Sequence, residues 1–416
     1  MISIDIFYLL FNALLFIGTF IYTWRKRGLD IVSFIFLIYA VLSVFSFLLY
    51  VHPESHRFYH GLNIWGFVLL YIGLLCFVLP LKTIQKTDFI IPPRPWLFHS
   101  LIVFLFLLSL SRLPSAISNL GSGFLGMVLD PTGFEDAYRE RMDTFVGGSS
   151  FGDRSISLFS IAYAVVGDTA IFLYMYYQTL HYRKMVFSIA LIIASLVLLV
   201  SYVSDAERGG ITRVIIIFFF SYLLFKDKLP LVLKNRVRIT LLSIFVLLGL
   251  ILAAITASRF TNKSYYSDDY WSYSIVSYLG QPMLNFDKFV VTESGTRNGD
   301  RTAALVKTII EPSGGPYNYA HRVSKYSSMS IDESSFSTFL GDLSLDYGVF
   351  LTLIICLLVA FTTPFYKAKK GRRPFKKYIL VYVLLVITCC GWHLFPFSDV
   401  GGNLKLLFNC MLFIVI

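Results

Sequence analysis

Charged residues are scarce in this chain of 416 residues. Asp, Glu, Lys and Arg make up 15% of it, whereas soluble globular domains contain about 25%, and hydrophobic residues make up 56%. This composition argues against a soluble domain and indicates an integral membrane protein. The formal net charge is +11, but the basic residues lie between apolar runs. Their placement predicts a topology signal and attraction to anionic membrane lipids, with no nucleic acid as partner.

Cysteine and catalytic sequence motifs are scarce as well. The five cysteines all fall in apolar segments without metal-ligand spacing, so buried thiols are expected and no disulfide framework. A P-loop, a Rossmann fingerprint, a G-x-S-x-G motif and an H-E-x-x-H motif are all missing. His52, His56 and His60 have a spacing that suits a metal on a helix, but no helix is expected there. The sequence therefore predicts no metal site and no cofactor.

Apolar runs of about 20 residues, the length that crosses a bilayer as a helix, recur along the chain. They predict an all-α polytopic membrane protein, a single membrane domain over 1–416 with about 11 transmembrane helices (10–12). The spans are expected near 5–24, 30–51, 61–81, 98–113, 156–178, 185–203, 211–225, 239–257, 336–361, 378–396 and 404–416. The last run is short, so it either extends upstream or ends inside the membrane.

The basic residues then set the orientation. Five alternate connections hold 20 of the 36 Lys and Arg residues, namely 25–29, 82–97, 179–184, 226–238 and 362–377. Because cytoplasmic connections are enriched in Lys and Arg, these five are predicted to be cytoplasmic. The N-terminus is then outside, and the C-terminus is cytoplasmic if the last span is real.

Two connections predicted to be external are long. They cover 114–155 and 258–335, and the second is expected to be partly helical. The spans contain few ionisable residues, and no internal repeat or inverted pair of broken helices is visible, which argues against a transporter. Any chemistry is therefore expected at the outer membrane boundary.

A set of arginines lies at this boundary. Arg208 stands in "SDAERGG" before Gly209 and Gly210, Arg213 lies just inside the next span, and Arg259 lies where another span exits. Arginine binds phosphate oxygens through a bidentate fork, the glycines leave room for a bulky anion, and a helix beginning near here presents its positive end. The pattern predicts a site for a lipid phosphate.

A structural alternative exists for the same arginines. They could extend to the interface along their aliphatic stems, or pair with Asp205 and Glu207. Sequence alone leaves both interpretations open.

The second long connection carries polar and aromatic candidates in "SGGPYNYAHRVSKY". Tyr317 and Tyr319 could stack on and hydrogen-bond sugars, and His321 beside Arg322 is the best external candidate for acid–base chemistry. The alternative is an interfacial aromatic belt, which explains the tyrosines of 265–278 slightly better than those further along the connection.

These features together resemble a known family, the polytopic O-antigen or oligosaccharide repeat-unit polymerases (Wzy type). The resemblance rests on the layout of spans, the large second external connection, "AERGG" at the tip of a hairpin, "SYLGQPMLNFDKF" after a span and "TFLGDLSLDYG" in a late helix. O-antigen ligases, which are related, place a histidine ahead of a G-x-x-G in that helix. Here "SSFSTFLGDLSLDYGVFL" lacks both the histidine and the second glycine, which favours a polymerase.

The resemblance implies a GT-C-like architecture in a bacterial cytoplasmic (inner) membrane. It further implies a metal-independent glycosyltransferase that joins oligosaccharide repeat units, each carried on a polyprenyl pyrophosphate, into an O-antigen, capsule or exopolysaccharide. A chain-length regulator protein is a possible partner. Alternatives are a polysaccharide flippase or other transporter, a ligase-type glycosyltransferase and a non-enzymatic membrane scaffold.

Overall fold

A computed structural model describes residues 4–56, 58–84, 88–119, 158–204, 207–261, 270–311, 319–333 and 335–416. The chain folds into two compact units. Unit 1 consists of Met1–Ile91 and Asp269–Ile414, and unit 2 consists of Pro92–Asp268 with Val415–Ile416.

Helices dominate both units. The first half of the chain forms α1 (Ile4–Arg27), α2 (Ile31–Val51), α3 (Pro53–His56), α4 (Ile64–Leu81), strand β1 (Phe89–Ile91), α5 (Pro95–Asn119), α6 (Leu158–Val166), α7 (Thr169–Tyr177) and α8 (Met185–Ser204). The second half forms α9 (Arg208–Phe225), α10 (Leu231–Thr261), α11 (Tyr270–Asn285), a π-helical turn (Phe286–Val290), α12 (Ala304–Ile310), α13 (Tyr319–Lys325), α14 (Thr338–Tyr347), α15 (Val349–Phe361), α16 (Thr363–Tyr366), β2 (Arg372–Pro374), α17 (Phe375–Leu385), a second π-helical turn (Val386–Cys390) and α18 (Asp399–Val415).

The all-α, multi-pass class expected from the sequence is confirmed. Seven helical segments in the described part of the chain are long and apolar enough to cross a membrane, namely α1, α2, α4, α5, α8, α9 and the stretch Val349–Tyr366. An eighth arises if α6 and α7, which meet at 60°, form one broken span. The expected spans near 239–257 and 404–416 overlap α10 and α18, whereas the one near 378–396 covers most of α17, the second π-helical turn and non-helical chain after it. These three are not among the seven segments, so the expected number of about 11 spans stays a prediction.

The expected span 336–361 is broken. Gly348 separates α14 from α15 with φ of 80° and ψ of 156°, a conformation that glycine adopts at no steric cost. The Phe339 ring lies 5.0 Å from that of Phe77, and Leu340 packs so closely on Gly73 that a Cβ there would lie 2.6 Å from it. Helix α14 therefore starts beside the middle of α4, inside the helix bundle of unit 1.

Part of the second long connection is a helix packed in the core of unit 1. Gly280 of α11 lies against α2, where a Cβ would come within 2.5 Å of the carbonyl oxygen of Phe45. Ser46 donates to the carbonyl of Gly280 at 2.9 Å, and Met283 is fully buried beside Asn12 of α1. The segment 270–290 is thus a structural part of the bundle.

Three of the connections predicted to be cytoplasmic meet at one end of unit 1. Arg27 donates to the carbonyl of Lys82 at 3.0 Å, which joins the end of α1 to the end of α4. Strands β1 and β2 pair in parallel, and the buried Arg373 lies 2.8 Å from the carboxylate of Asp88. Connections 25–29, 82–97 and 362–377 therefore lie on the same side of the bundle, as the distribution of basic residues requires.

Segments predicted to be external meet at the opposite end. The carboxylate of Asp5, at the start of α1, accepts from the Tyr50 hydroxyl at 3.0 Å and from the backbone N–H groups of Gly61 and Leu62 at 3.0 and 3.1 Å. These contacts join the beginning of α1, the end of α2 and the beginning of α4, so the two ends of the bundle are structurally distinct.

Asp287 adds a second carboxylate to this end. Its Oδ2 accepts from the backbone N–H of Asn63 at 2.8 Å, and the side chain presses on Gly66, where a Cβ would lie 2.1 Å from Oδ1. Burial raises the pKa of Asp287 from 3.8 to about 7, and the negative charge of Asp5 adds to this effect. The hydrogen bond from Asn63 and the positive charge of Lys288 oppose it.

A carboxyl group with a raised pKa makes folded-state stability depend on pH. Between its ordinary value of 3.8 and about 7, Asp287 is protonated in the folded chain and ionised in the unfolded chain. Stability therefore falls as pH rises through this window. We expect Asp287→Asn to lack this contribution, so its melting temperature relative to the native chain should increase from pH 4 to pH 7 and then level off. Thermal melts of both proteins in one detergent measure the difference; a difference that does not vary with pH contradicts the assignment.

Candidate functional site

The predicted phosphate-binding arginines begin a helix of unit 2. Arg208 is the first residue of α9, and both Arg208 and Arg213 are half-buried. Five positions separate them, so they point about 140° apart around the helix axis. Gly209 has open space where a side chain would begin, but at Gly210 a Cβ would come within 2.4 Å of the Tyr202 ring. Gly210 therefore allows α8 and α9 to pack, and Gly209 keeps the open approach expected for an anion.

For several other predicted site residues, the structure describes either the backbone alone or nothing. Arg259 lies in α10 and Tyr319 begins α13, but nothing is described of their side chains, and Tyr317 falls outside altogether. The same is true of Asp205 and of most of the first long connection, 114–155. Their roles stay predictions.

His321 and Arg322 are neighbours on α13 with different surroundings. The His321 side chain is exposed, whereas Arg322 is buried. The guanidinium of Arg322 donates from Nε to Glu333 Oε2 at 3.2 Å and lies 3.0 Å from Asp399 Oδ1 through Nη2. Arg322 thus joins α13 to the start of α18. It is also the one residue among the sequence-based site candidates with described ion pairs that belong to a larger network of charges.

Two more arginines continue this network. Arg297 Nε lies 2.7 Å from Glu333 Oε1, so Glu333 is held between Arg297 and Arg322. Arg297 Nη1 also lies 3.6 Å from Asp342 Oδ1, to which Arg301 donates at 3.1 Å. The side chains of these pairs are between 2% and 8% exposed. Charge pairs this well shielded from water interact strongly, and each partner becomes costly if the other is lost.

Backbone contacts fix the carboxylates of α14. Asp342 Oδ2 accepts from the N–H of Phe395 at 2.6 Å, which holds the segment before α18. One turn later, Asp346 Oδ2 accepts from the N–H and the hydroxyl of Thr302 at 2.7 and 2.6 Å, and from the N–H of Arg301 at 3.3 Å. Both carboxylates therefore pair with arginines or hydroxyls and also fix the backbone of neighbouring segments, at Phe395 and at 301–302.

Asp300 contacts the two lysines of this region, Lys307 and Lys325. It is fully buried and contacts Lys307, the Tyr326 hydroxyl and Lys325, the last at 2.6 Å. Burial alone would raise the pKa of Asp300, but hydrogen bonds from these three side chains outweigh burial, so its pKa is lowered. The carboxylate is therefore held in its charged form.

We call this network the ion cluster of unit 1. Its members are Arg297, Asp300, Arg301, Lys307, Arg322, Lys325, Glu333, Asp342, Asp346 and Asp399. The formal charges of these members balance. Arg301 Nε is buried and hydrogen-bonds to no described residue, so this guanidinium could donate to one more acceptor oxygen.

Three of the four non-glycine residues with positive φ in the described part of the chain lie at the ion cluster, and the fourth, Lys370, lies just before β2. Asn298, Thr338 and Asp399 adopt positive φ values of 52°, 69° and 61°. Asparagine and aspartate tolerate this region, but a β-branched residue such as threonine rarely does. Such conformations cost about 1–3 kcal/mol each and are common at functional sites. Strain and buried charge thus mark the same place.

The sequence contained a signal for the ion cluster. Arg297 and Arg301 are four residues apart, and so are Asp342 and Asp346 in the stretch "GDLSLDYG". Carboxylates spaced by four lie on one face of a helix, and in an apolar segment they need a cationic partner. The pairing itself spans about forty residues or more, so the sequence pattern could indicate the need for partners but not their identity.

The chain matches no protein-family model, no curated protein and no solved structure. The candidate site therefore rests on its own geometry.

The central carboxylate of the ion cluster provides a test of its stability. Glu333→Gln leaves Arg297 and Arg322 facing a neutral amide in a buried place, which typically costs about 3–5 kcal/mol. Asp227→Asn is the matched control, because Asp227 pairs with Lys234 at 3.8 Å and both side chains are about one-third exposed. Its loss should cost less than about 1 kcal/mol.

Chemical denaturation in detergent micelles would measure both changes. We expect a marked loss of stability for Glu333→Gln and a small one for Asp227→Asn. Equal, small losses would show that the buried charge pairs do not hold the segments of unit 1 together.

Proposed function

We propose that this chain is a glycosyltransferase that polymerises lipid-linked oligosaccharide repeat units into a surface polysaccharide. It acts at the outer face of a bacterial cytoplasmic membrane, on glycans carried by polyprenyl pyrophosphate. The proposed architecture is GT-C-like, with about 11 spans, the N-terminus outside and the C-terminus in the cytoplasm.

The observation that carries the proposal is the ion cluster. It joins segments of the second long connection, 297–333, to α14 and to the start of α18. These segments belong to the side of the chain that the positive-inside rule assigns to the exterior. A membrane scaffold has no need for strained backbone around buried charges, whereas a reaction on a membrane-anchored glycan needs such rigid, preorganised polar groups.

The reaction requires little beyond positioning and charge stabilisation. A hydroxyl of the incoming repeat unit attacks the anomeric carbon of the growing chain, and polyprenyl pyrophosphate departs with the electron pair of the broken bond. This leaving group is already activated, so aligned reactants and cations near the departing oxygens supply most of the catalysis. Arg301 Nε offers a donor of this type. The roles of Arg208, Arg213 and Arg259 as phosphate-binding cations, all in unit 2, stay separate predictions from the sequence.

The orientation on which the proposal depends is directly measurable. Asp332 and Lys367 are both exposed and lie in connections predicted to be outside and inside, respectively. In a variant without native cysteines, we expect a membrane-impermeant maleimide added to spheroplasts to label Asp332→Cys and to spare Lys367→Cys until the membrane is permeabilised. The reverse pattern would place the ion cluster on the cytoplasmic side and reject the proposal.

The activity itself is tested with purified protein in liposomes. The donor is the polyprenyl-pyrophosphate-linked oligosaccharide isolated from cells in which this chain has been deleted. We expect a ladder of glycans that differ by one repeat unit. We also expect a reduced ladder for Arg208→Ala with partial retention for Arg208→Lys, since lysine keeps the charge but not the bidentate geometry.

Three results would each contradict part of this proposal. Failure of correctly folded native protein to extend the glycan would reject the polymerase. Transfer of single units to a different acceptor without a ladder would favour a ligase. A full ladder from Arg208→Ala at normal protein level would remove Arg208 from the pyrophosphate site.

A further inference from the structure

We propose that Asp399 is the general base of the reaction, the carboxylate that takes the proton from the attacking sugar hydroxyl. This inference rests on the proposed function and assigns a catalytic group that the sequence had not indicated. The substrate it contacts is the hydroxyl-bearing acceptor saccharide.

Exposure separates Asp399 from the other carboxylates of the ion cluster. The side chains of Asp300, Glu333 and Asp342 are 1–2% exposed, and Asp346 is equally buried. The Asp399 side chain is 46% exposed. Among these five acids, Asp399 is therefore the one that a saccharide can reach without unfolding the site.

One contact to the side chain and one to the backbone hold Asp399 in place. Arg322 Nη2 lies 3.0 Å from Asp399 Oδ1, which is itself buried, so the exposed surface belongs to the rest of the side chain. The backbone N–H of Asp399 donates to the carbonyl of Arg301 at 2.8 Å, and its φ is 61°. The side chain and the backbone are both fixed, which is the preorganisation that a general base requires.

Arg322 is here a positioning residue. It is buried, and its guanidinium is shared between Glu333 and Asp399. Because Arg322 also pairs with Glu333, its positive charge only partly neutralises the carboxylate of Asp399. It orients one carboxylate oxygen and leaves the other to accept a proton.

The surroundings leave space for a saccharide. Gly401, two residues beyond Asp399, is exposed, and nothing lies within 4 Å of the position that a Cβ would take. A carboxylate is also better suited to bind an acceptor hydroxyl than to bind a pyrophosphate. It accepts a hydrogen bond from the hydroxyl, whereas it repels the pyrophosphate anion. The geometry therefore points to the acceptor saccharide as the ligand at this position.

The reaction moves one proton and exchanges one bond at the anomeric carbon. The O–H bond of the acceptor hydroxyl breaks and its proton moves to the Asp399 carboxylate. The hydroxyl oxygen forms the new bond to the anomeric carbon. The bond from that carbon to the pyrophosphate oxygen breaks, and its electron pair leaves with the polyprenyl pyrophosphate. The proton on Asp399 then passes to water.

The test compares turnover with donor binding in the liposome assay. Asp399→Asn removes the base but keeps the size of the side chain, so we expect the rate of glycan extension to fall by about 10²–10⁴-fold. Binding of the purified lipid-linked oligosaccharide should change little. The matched control is Asp332→Asn, an exposed aspartate one residue before Glu333, which should extend glycans at the native rate.

A second variant guards against misfolding. Asp399→Gly accommodates the positive φ without strain, and formate added to this variant should restore part of the extension by accepting the proton. A merely structural role would not respond to formate.

The outcomes separate the two proposals. If native protein builds a ladder and Asp399→Asn builds it at the native rate, the general base is wrong and the polymerase stands. If Asp399→Asn loses donor binding and turnover together, and formate has no effect on Asp399→Gly, the residue is structural. If native protein builds no ladder, the proposed function fails, and the base fails with it.

Discussion

The contact on which unit 1 depends is the bridging of Arg297 and Arg322 by Glu333. It joins two parts of the long second connection whose sequence positions are far apart, and further ion pairs extend it to α14 and α18. The apolar helices supply a frame whose surface faces lipid or other helices. Hydrophobic contacts alone do not fix the position of the polar connections relative to these helices. Ion pairs fix it, because a buried charge without an opposite charge beside it is costly.

The break at Gly348 ends a helix whose two carboxylates take part in the ion cluster. A continuous helix over 336–361 would carry Asp342 and Asp346 as two carboxylates on one face of a membrane span. The chain instead forms α14 as a separate short helix, in which both carboxylates meet partners from 297–302 and from Phe395. Two shorter helices thus replace an uninterrupted span, and the buried carboxylates of α14 are neutralised by partners from other segments of unit 1.

The sequence predicted the frame better than the site. The length of the apolar runs predicted the helices α1, α2 and α4. The basic connections predicted that 25–29, 82–97 and 362–377 lie at one end of the helices. Both signals are local in sequence. Arg322 was found by its place beside a histidine, but Arg297 and Glu333 were missed, since their pairing is a long-range contact. Gly210 was expected to admit an anion, whereas the neighbouring ring of Tyr202 occupies that space, and no local pattern reveals a helix–helix contact.

The central claim is that the ion cluster and its exposed member Asp399 form the place where a lipid-linked saccharide reacts. The most direct measurement is an experimental structure of the native chain in lipid nanodiscs with the purified polyprenyl-pyrophosphate-linked oligosaccharide. We expect saccharide density within hydrogen-bonding distance of Asp399, with Arg322 still bridging Glu333 and Asp399. Saccharide bound elsewhere, with no contact to Asp399 or its neighbours, would contradict it.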